Sequence, residues 1–188
     1  MVTATNDITG AKILTKPISD KYSEGWDRIF KKPTKAVLVE KEEIKSYTKI
    51  IDSFSGNHRF LSNFWPCSVM LDGEEYQSVE HAYVAAKTTD IVLRSIIQDC
   101  PTAGKVKQLG RKIKLRADWE EIKLSVMEDL LRQKFSEKTL KQRLLETKGY
   151  ELIEGNHWND TFWGVCNGVG SNNLGKLLMK IREESVLK

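Results

Sequence analysis

The spacing of apolar residues along the chain predicts a domain made mainly of helices. Over 118–135 the apolar side chains recur every three to four residues, which places them on one face of a long amphipathic helix. Asp118 is expected to cap this helix with Glu121 as the other half of a capping box, and Ser136 to cap the next helix. Helices are predicted over 90–99, 102–109, 118–135, 136–148 and 173–184.

Strands are predicted where apolar residues alternate with polar ones or form short runs. The Asp72-Gly73 pair between two such segments is a strong signal for a two-residue hairpin. Strands are predicted over 49–54, 68–71, 74–77 and 150–154. Together these elements predict an α+β fold, a predominantly helical single domain with a small antiparallel sheet.

The segment after the hairpin predicts a helix that carries ionisable side chains. Ser78 fits the N-cap position, and several alanines favour the helix that follows. Glu80 and Lys87 share one helical face and lie roughly 10 Å apart along the axis, so both side chains can reach one ligand. His81 lies off that face, and Tyr83 is expected in the core.

The first 47 residues differ from the rest of the chain. Residues 1–16 are polar and without period, whereas 22–32 predict a short amphipathic turn and 36–39 a strand. We therefore predict a leader over 1–47, tethered or partly disordered, and a compact domain over 48–188. A tryptophan at position 26 indicates that the leader docks on this protein or on a partner.

Composition limits the chemistry that the chain can perform. The 188 residues are 40% hydrophobic and 30% charged, and no apolar run approaches the ~18 residues of a membrane span. We expect no signal peptide and no membrane partner, and the predicted location is the cytoplasm. The three cysteines and three histidines are widely separated, which argues against a thiolate metal site and a structural zinc and leaves open only a metal site built from residues far apart in the chain. No cofactor is expected.

The distribution of charge says more than the net charge of +4. The segment 104–116 carries six lysines and arginines and no acid. Such a patch suits a phosphate-bearing ligand, of nucleotide or polynucleotide size, and it equally suits a solvated helix face.

Residues typical of a binding site occur in two stretches far apart in the chain. The first, 59–87, joins the polar and aromatic loop 60–66 to the helix of Glu80 and Lys87. The second, 155–175, holds Trp158, Asp160 and Trp163 among asparagines and glycines. Its glycines and the helix start that follows suit a backbone cradle for an anion, or a tight surface loop. Its tryptophans suit stacking on a base or sugar, or burial in the core.

Both stretches resemble the NADAR family, also called YbiA-like. The resemblance rests on FLSNFWP (60–66), LDGEEYQSVEHAYVAAK (71–87), LGR (109–111), the helix from Trp119 to KF (134–135), NDTFWG (159–164) and NNLGKLLMKIRE (172–183). It extends in colinear order over about 49–184. The family often has an aspartate where this chain has Val165, so Asp160 is the remaining acid of that loop.

The resemblance implies an enzyme, a hydrolase that cleaves the N-glycosidic bond between a ribose and a base. Some family members resemble hydrolases of early riboflavin-pathway intermediates, which are ribosylated pyrimidine phosphates. Others resemble enzymes that remove ADP-ribose from guanine in DNA. The expected partner is a small ribosyl or ADP-ribosyl substrate, or DNA that carries ADP-ribosylated guanine. The oligomeric state stays open.

The matching positions imply catalytic roles for Glu80, Lys87 and Asp160. Cleavage passes through a cationic sugar while the leaving base takes a proton, so the reaction needs a carboxylate and an acid. Glu80 is the predicted acid/base. Lys87 either pairs with a phosphate or attacks C1 of the sugar as a Schiff-base nucleophile. The predicted substrate-binding residues are Asn63, Phe64, Trp65, His81, Arg111, Trp119, Trp163, Gly164 and Asn173.

Two other classes of function stay open. A non-catalytic nucleotide or ADP-ribose sensor would keep the aromatic and basic residues without needing Glu80 or Lys87. A DNA-binding accessory protein would use the segment 104–116 and would bind unmodified DNA tightly, with a strong dependence on salt.

Overall fold

The computed structural model describes residues 3–5, 12–14 and 49–186. Strand β1 (Thr3–Thr5) pairs antiparallel with β2 (Lys12–Leu14), with Thr3 opposite Leu14. The turn predicted over 22–32 and the strand predicted over 36–39 lie outside the described residues, so the leader stays a prediction.

Helices dominate residues 49–186, and the prediction of a mainly helical α+β fold is confirmed. In chain order the elements are β3 (Lys49–Ile51), a 3-10 helix (Gly56–Leu61), β4 (Pro66–Leu71), β5 (Glu74–Ser78), α1 (Val79–Ala86), α2 (Ile91–Gln98), α3 (Ala103–Gly110), α4 (Trp119–Lys134), α5 (Lys138–Glu146), β6 (Tyr150–Leu152), β7 (Gly155–Asn156), β8 (Val165–Cys166) and α6 (Asn173–Val186).

The strands pair differently from the single antiparallel sheet that was expected. β4 and β5 form the predicted hairpin, and its turn residues Asp72 and Gly73 have φ of 51° and 88°, as a type I′ turn requires. β3 instead pairs parallel with β6, with Ile51 opposite Leu152, and β7 pairs parallel with β8. A parallel pair needs a long crossover, which the helices α1–α5 supply between β3 and β6. Apolar pattern alone does not encode that choice of partner.

Helix α1 lies at the centre of this domain. All eight of its residues are buried, because α2, α3, α4 and the β4–β5 hairpin pack around it. Small residues permit this close packing: a Cβ at Gly110 of α3 would lie 3.0 Å from the Val84 methyl groups of α1. Met127, Leu130 and Leu131 of α4 are each at most 1% exposed, and a buried side chain of this size stabilises the fold by roughly 1.5–3 kcal/mol.

The N-cap of α1 is as predicted, whereas the capping box of α4 is wrong. Ser78 Oγ accepts a hydrogen bond from His81 N. The Asp118 carboxylate accepts two hydrogen bonds from the Arg116 guanidinium, at 2.6 and 2.9 Å, and none from the backbone of its own helix. Arg116 therefore binds the Asp118 carboxylate, which was expected to cap α4 together with Glu121.

The cap of α5 is displaced by one residue from its predicted position. The Glu137 carboxylate accepts from the backbone N–H groups of Thr139 and Leu140, at 2.7 and 2.8 Å. Ser136 Oγ instead donates to Gln133 O and closes the end of α4. A glutamate competes well for this position because its negative charge also faces the positive end of the helix dipole.

No helix within the described residues is long and apolar enough to cross a membrane. The cytoplasmic location stays a prediction.

Candidate active site

A cavity of about 860 Å³ lies between the two stretches that the sequence singled out. Its walls come from α1, the segment 53–64, α3, α4, the segment 154–163 and Leu174 of α6. Eight of the twelve predicted site residues line it: Asn63, Phe64, Glu80, Lys87, Arg111, Trp119, Asp160 and Trp163. The fold therefore brings together residues that are up to 100 positions apart in the chain.

Glu80 faces the cavity from the first turn of α1. Its backbone N–H donates to Asn63 O at 3.0 Å, which joins α1 to the loop 60–66. The residue is 8% exposed, and burial raises the pKa of Glu80 to about 7 against the opposing effect of the Lys107 and Lys87 ammonium groups. A carboxyl group with this pKa can both accept and release a proton near neutral pH.

Lys87 follows α1 and faces the same cavity. Its Nζ lies 5.5 Å from the centre of the Tyr83 ring, and a Cβ at Gly110 would lie 3.6 Å from it. Burial lowers the pKa of Lys87, and the Glu80 carboxylate opposes that shift. Glu80 and Lys87 thus shift each other's pKa, which agrees with their expected place on one helical face.

Aromatic rings form one side of the cavity. The Tyr83 ring packs against Trp119 at 5.0 Å and meets Trp163 edge-on at 5.5 Å, and Phe162 meets Trp163 edge-on at 5.0 Å. Tyr83 is 6% exposed, and burial raises the pKa of its phenol. This cluster fixes the plane of Trp163, as a stacking surface for a planar base would require.

The NDTFWG loop holds Asp160 by a local network. Asp160 Oδ1 accepts from Trp163 N at 2.9 Å, while Asn156 accepts from Asp160 N and donates to Asp160 O. Asn159 has a φ of 63°, in the left-handed region that asparagine tolerates better than most residues. The acid of this loop is therefore fixed at the cavity wall.

The anion cradle considered for the glycine-rich loop is wrong for the start of α6. The backbone N–H groups of Ser171, Asn172, Asn173 and Leu174 donate to carbonyl oxygens in the segment 161–164. These donors are occupied within the chain, so they do not present the free N–H groups that bind an anion.

Four predicted substrate-binding residues do not line the cavity. Trp65 packs beside the core, with the Arg143 guanidinium 5.5 Å from its ring. The buried His81 ring is held between Ser78 Oγ and the Cys100 carbonyl, at 2.7 and 3.0 Å.

Gly164 and Asn173 lie behind the cavity wall and support the residues that form it. A Cβ at Gly164 would lie 2.1 Å from Glu154 O, so only glycine fits there. Asn173 Nδ2 donates to Phe162 O at 2.8 Å and anchors the aromatic loop. A family pattern marks such supporting residues as strongly as it marks residues that meet a substrate, which explains why the sequence could not separate them.

Three basic residues that line the cavity, Arg59, Lys107 and Lys123, were not among the predicted site residues. Lys107 Nζ lies 5.6 Å from the Phe64 ring centre and 5.0 Å from that of Trp158, and it therefore spans both walls. Arg59 and Lys123 also line the cavity, and Lys123 Nζ lies 3.8 Å from the Phe162 ring centre. The sequence signal was available for Lys107, because it precedes Arg111 by four residues and so shares its helical face.

Glu154 is the acid that sequence reasoning missed. It follows β6, lines the cavity, and burial raises the pKa of Glu154 to about 7. No local pattern distinguished it from the other glutamates of the chain, because only the packing of the loop 154–165 places it opposite α1.

The comparisons with known proteins agree with the fold and the cavity. The NADAR domain profile matches residues 52–185, and the chain belongs to the NADAR domain family. The predicted family is thereby confirmed.

Two relatives named as N-glycosidases are similar over most of their length. YbiA of Escherichia coli is 34% identical over 140 residues, which are 72% of this chain and 87% of that protein. A protein of Nostoc punctiforme is 35% identical over 131 residues, 66% of this chain and 83% of that protein. The solution structure of Escherichia coli YbiA superposes with a TM-score of 0.67 at 33% identity, covering 77% of this chain and 90% of that chain. The prediction of an N-glycosidase is confirmed, because both of these similar proteins are named N-glycosidases.

A riboflavin biosynthesis protein of Vibrio vulnificus is 40% identical over 132 residues. These are 68% of this chain, but the match spans only 36% of the longer Vibrio protein.

Proposed function

We propose that the cavity hydrolyses the N-glycosidic bond between a phosphorylated ribose and its base. The observation that carries this proposal is the convergence of Glu80, Lys87 and Asp160 on one cavity of about 860 Å³ beside a fixed aromatic cluster. That volume lies within the range of ligand pockets and is large enough for a nucleotide.

The charges around the cavity favour an anionic substrate. Five cations line it, against three carboxyl groups, and two of those carboxyl groups have a pKa of about 7. The five cations are Arg59, Lys87, Lys107, Arg111 and Lys123. Arg111 is exposed and so suits a phosphate that remains in contact with water.

Each reacting group has a defined task in this proposal. Asp160 stabilises the positive charge that develops on the sugar, and Glu80 exchanges a proton with the attacking water. Of the two roles open for Lys87, the lowered pKa supports the chemical one, because a neutral amine can attack C1 and an ammonium ion cannot. The exposed arginines are then left to bind phosphate.

Two substrates fit the same chemistry. Ribosylated pyrimidine phosphates of the riboflavin pathway are small, and the name of the Vibrio relative supports them. ADP-ribosylated guanine in DNA would in addition use the exposed Lys105, Lys112 and Lys114, which flank the cavity residues Lys107 and Arg111.

A product assay by mass spectrometry tests the proposal. The purified protein is incubated with a ribosylated pyrimidine 5′-phosphate and, separately, with DNA that carries ADP-ribosylated guanine. Release of a free base from either substrate is the expected result, and the substrate that is cleaved identifies the class. Binding of both without release of a base would indicate the sensor function, and tight binding of unmodified DNA alone would indicate the accessory DNA-binding function.

A further inference from the structure

Glu154 lies in the cavity wall in a position that the backbone defines closely. Its N–H donates to Asn172 Oδ1 at 3.0 Å, and its carbonyl oxygen accepts from Val165 N at 2.9 Å. A Cβ at position 164 would lie 3.0 Å from Glu154 Cγ as well as 2.1 Å from its carbonyl oxygen. The glycine of the NDTFWG loop therefore provides the space in which the Glu154 side chain lies.

One oxygen of this side chain is buried without a donor. Glu154 Oε2 is inaccessible and accepts no hydrogen bond from the described residues. A carboxylate in that setting would hold a desolvated negative charge without a hydrogen-bond donor, which is costly, whereas a protonated carboxyl group would not. The geometry is thus that of a neutral acid at the wall of a reaction cavity.

We propose that Glu154 is a further catalytic residue of this site, the general acid that protonates the leaving base, while Glu80 acts as the base. This inference rests on the proposed function and assigns to separate residues the two proton transfers that the reaction requires.

The charges that face each carboxyl group support this division. Burial raises the pKa of Glu80 to about 7, but the ammonium groups of Lys107 and Lys87 favour its ionised form and only one carboxylate, Asp160, opposes them. Glu154 faces Lys107 and Lys134 but two carboxyl groups, Asp160 and Glu80, which favour its protonated form. Two acids with different surroundings can therefore carry the two roles.

The step balances in atoms and electrons. As the bond between C1 and the base nitrogen breaks, its electron pair goes to the nitrogen, and the proton of the Glu154 carboxyl group moves to the base. The Lys87 amine bonds to C1 as the base leaves and gives a proton to the Glu80 carboxylate. Water then replaces the amine at C1: Glu80 passes a proton to the departing amine and takes one from the water, whose hydroxyl group bonds to C1. Return of that proton to Glu154 through solvent restores the enzyme, so the net reaction consumes one water molecule.

The test uses two substrates that differ in whether the leaving group needs a proton. One is the ribosylated pyrimidine 5′-phosphate or the ADP-ribosylated guanine that the wild type cleaves. The other is p-nitrophenyl β-ribofuranoside 5-phosphate, whose nitrophenolate leaves as an anion. Glu154→Gln is expected to lose about 100-fold or more of kcat on the natural base and to retain kcat within about tenfold on the nitrophenyl substrate.

Three variants separate chemistry from folding. Glu80→Gln is expected to lose activity on both substrates, and Glu154→Asp, which retains an acid, is expected to recover part of the activity on the natural base. Glu151→Gln, on strand β6 and outside the cavity, is the matched control and keeps wild-type rates. Thermal unfolding of each variant reports whether it folds.

An equal loss on both substrates, or no loss on either, would overturn the role of Glu154 while the proposed function stands. A wild type that releases no base from any substrate would overturn the proposed function and this inference with it.

Discussion

Replacement of Lys134 by methionine is expected to stabilise the protein, although Lys134 makes a good hydrogen bond. The residue ends α4 and is 1% exposed, and its Nζ donates to Ser62 O at 2.7 Å. Burial lowers the pKa of Lys134 from an ordinary 10.5 to about 7, and the nearby Cys67 and Glu154 only partly oppose that shift. Its protonated form is therefore poorly tolerated in the folded state.

The structure gives the size of the effect. At about 1.4 kcal/mol for each pKa unit, the charge on Lys134 costs the folded state about 5 kcal/mol. Methionine removes that cost and fills a similar volume, but it leaves Ser62 O without this donor, at about 1–3 kcal/mol. Lys134→Met should therefore raise the free energy of unfolding at pH 6 by roughly 2–4 kcal/mol.

The effect should depend on pH with a defined sign. The folded pKa is the lower one, so between pH 7 and 10.5 the unfolded chain binds more protons. Wild-type stability consequently gains up to about 1.4 kcal/mol per pH unit from this group over that interval, and the gain is absent below pH 7. Lys134→Met lacks this contribution, so its advantage should shrink as the pH rises above 7.

Urea unfolding at pH 6, 7, 8 and 9 measures the difference, with Lys138→Met as the control because Lys138 is exposed. The reasoning is refuted if Lys134→Met is less stable than the wild type at pH 6. It is also refuted if the difference between the two proteins does not change between pH 7 and 9.

Three further predictions concern the cavity. Gly164→Ala should destabilise the fold by about 3 kcal/mol or more, because its Cβ would lie 2.1 Å from a backbone carbonyl oxygen. A Cβ at Gly104, in the first turn of α3, would meet no packed neighbour within 4 Å, so Gly104→Ala should not lower the temperature of thermal unfolding. Borohydride added during turnover should trap a sugar adduct on Lys87, which mass spectrometry would detect in the wild type and not in Lys87→Met; a trapped adduct in that variant would exclude the role. Lys107→Met removes an ammonium group that lowers the pKa of Glu80, so the acidic limb of the kcat profile should move to higher pH, and an unmoved limb would contradict the assigned base.

The sequence predicts local features of this fold better than its long-range pairing. The Asp72-Gly73 turn and the Ser78 cap depend on a few adjacent residues, and both are present. The parallel pairing of β3 with β6 depends on how five helices pack between them, which no local pattern encodes. The Asp118 cap failed for a related reason, since a neighbouring arginine competes for the same carboxylate.

The part of the candidate site that lies on one helix could be predicted, because helical spacing determines which side chains share a face. Lys87 is seven positions after Glu80, so their common helical face follows from the sequence, and so does the different direction of His81. Glu154 lies 74 positions after Glu80 in the sequence. It faces the same cavity only because the chain folds back to α1 and because Gly164 leaves room for its side chain. Its partners belong to other elements, so its raised pKa could be seen only in the folded structure.

The most direct test of the central claim is the rate of base release by Glu80→Gln. Glu80→Gln removes the proposed base of the cavity, and Glu74→Gln, an exposed glutamate on β5, is the matched control. On the substrate that the wild type cleaves, Glu80→Gln should lose about 100-fold or more of kcat, with wild-type thermal stability or better, whereas Glu74→Gln keeps the wild-type rate. A folded Glu80→Gln protein that releases base at the wild-type rate would contradict the account.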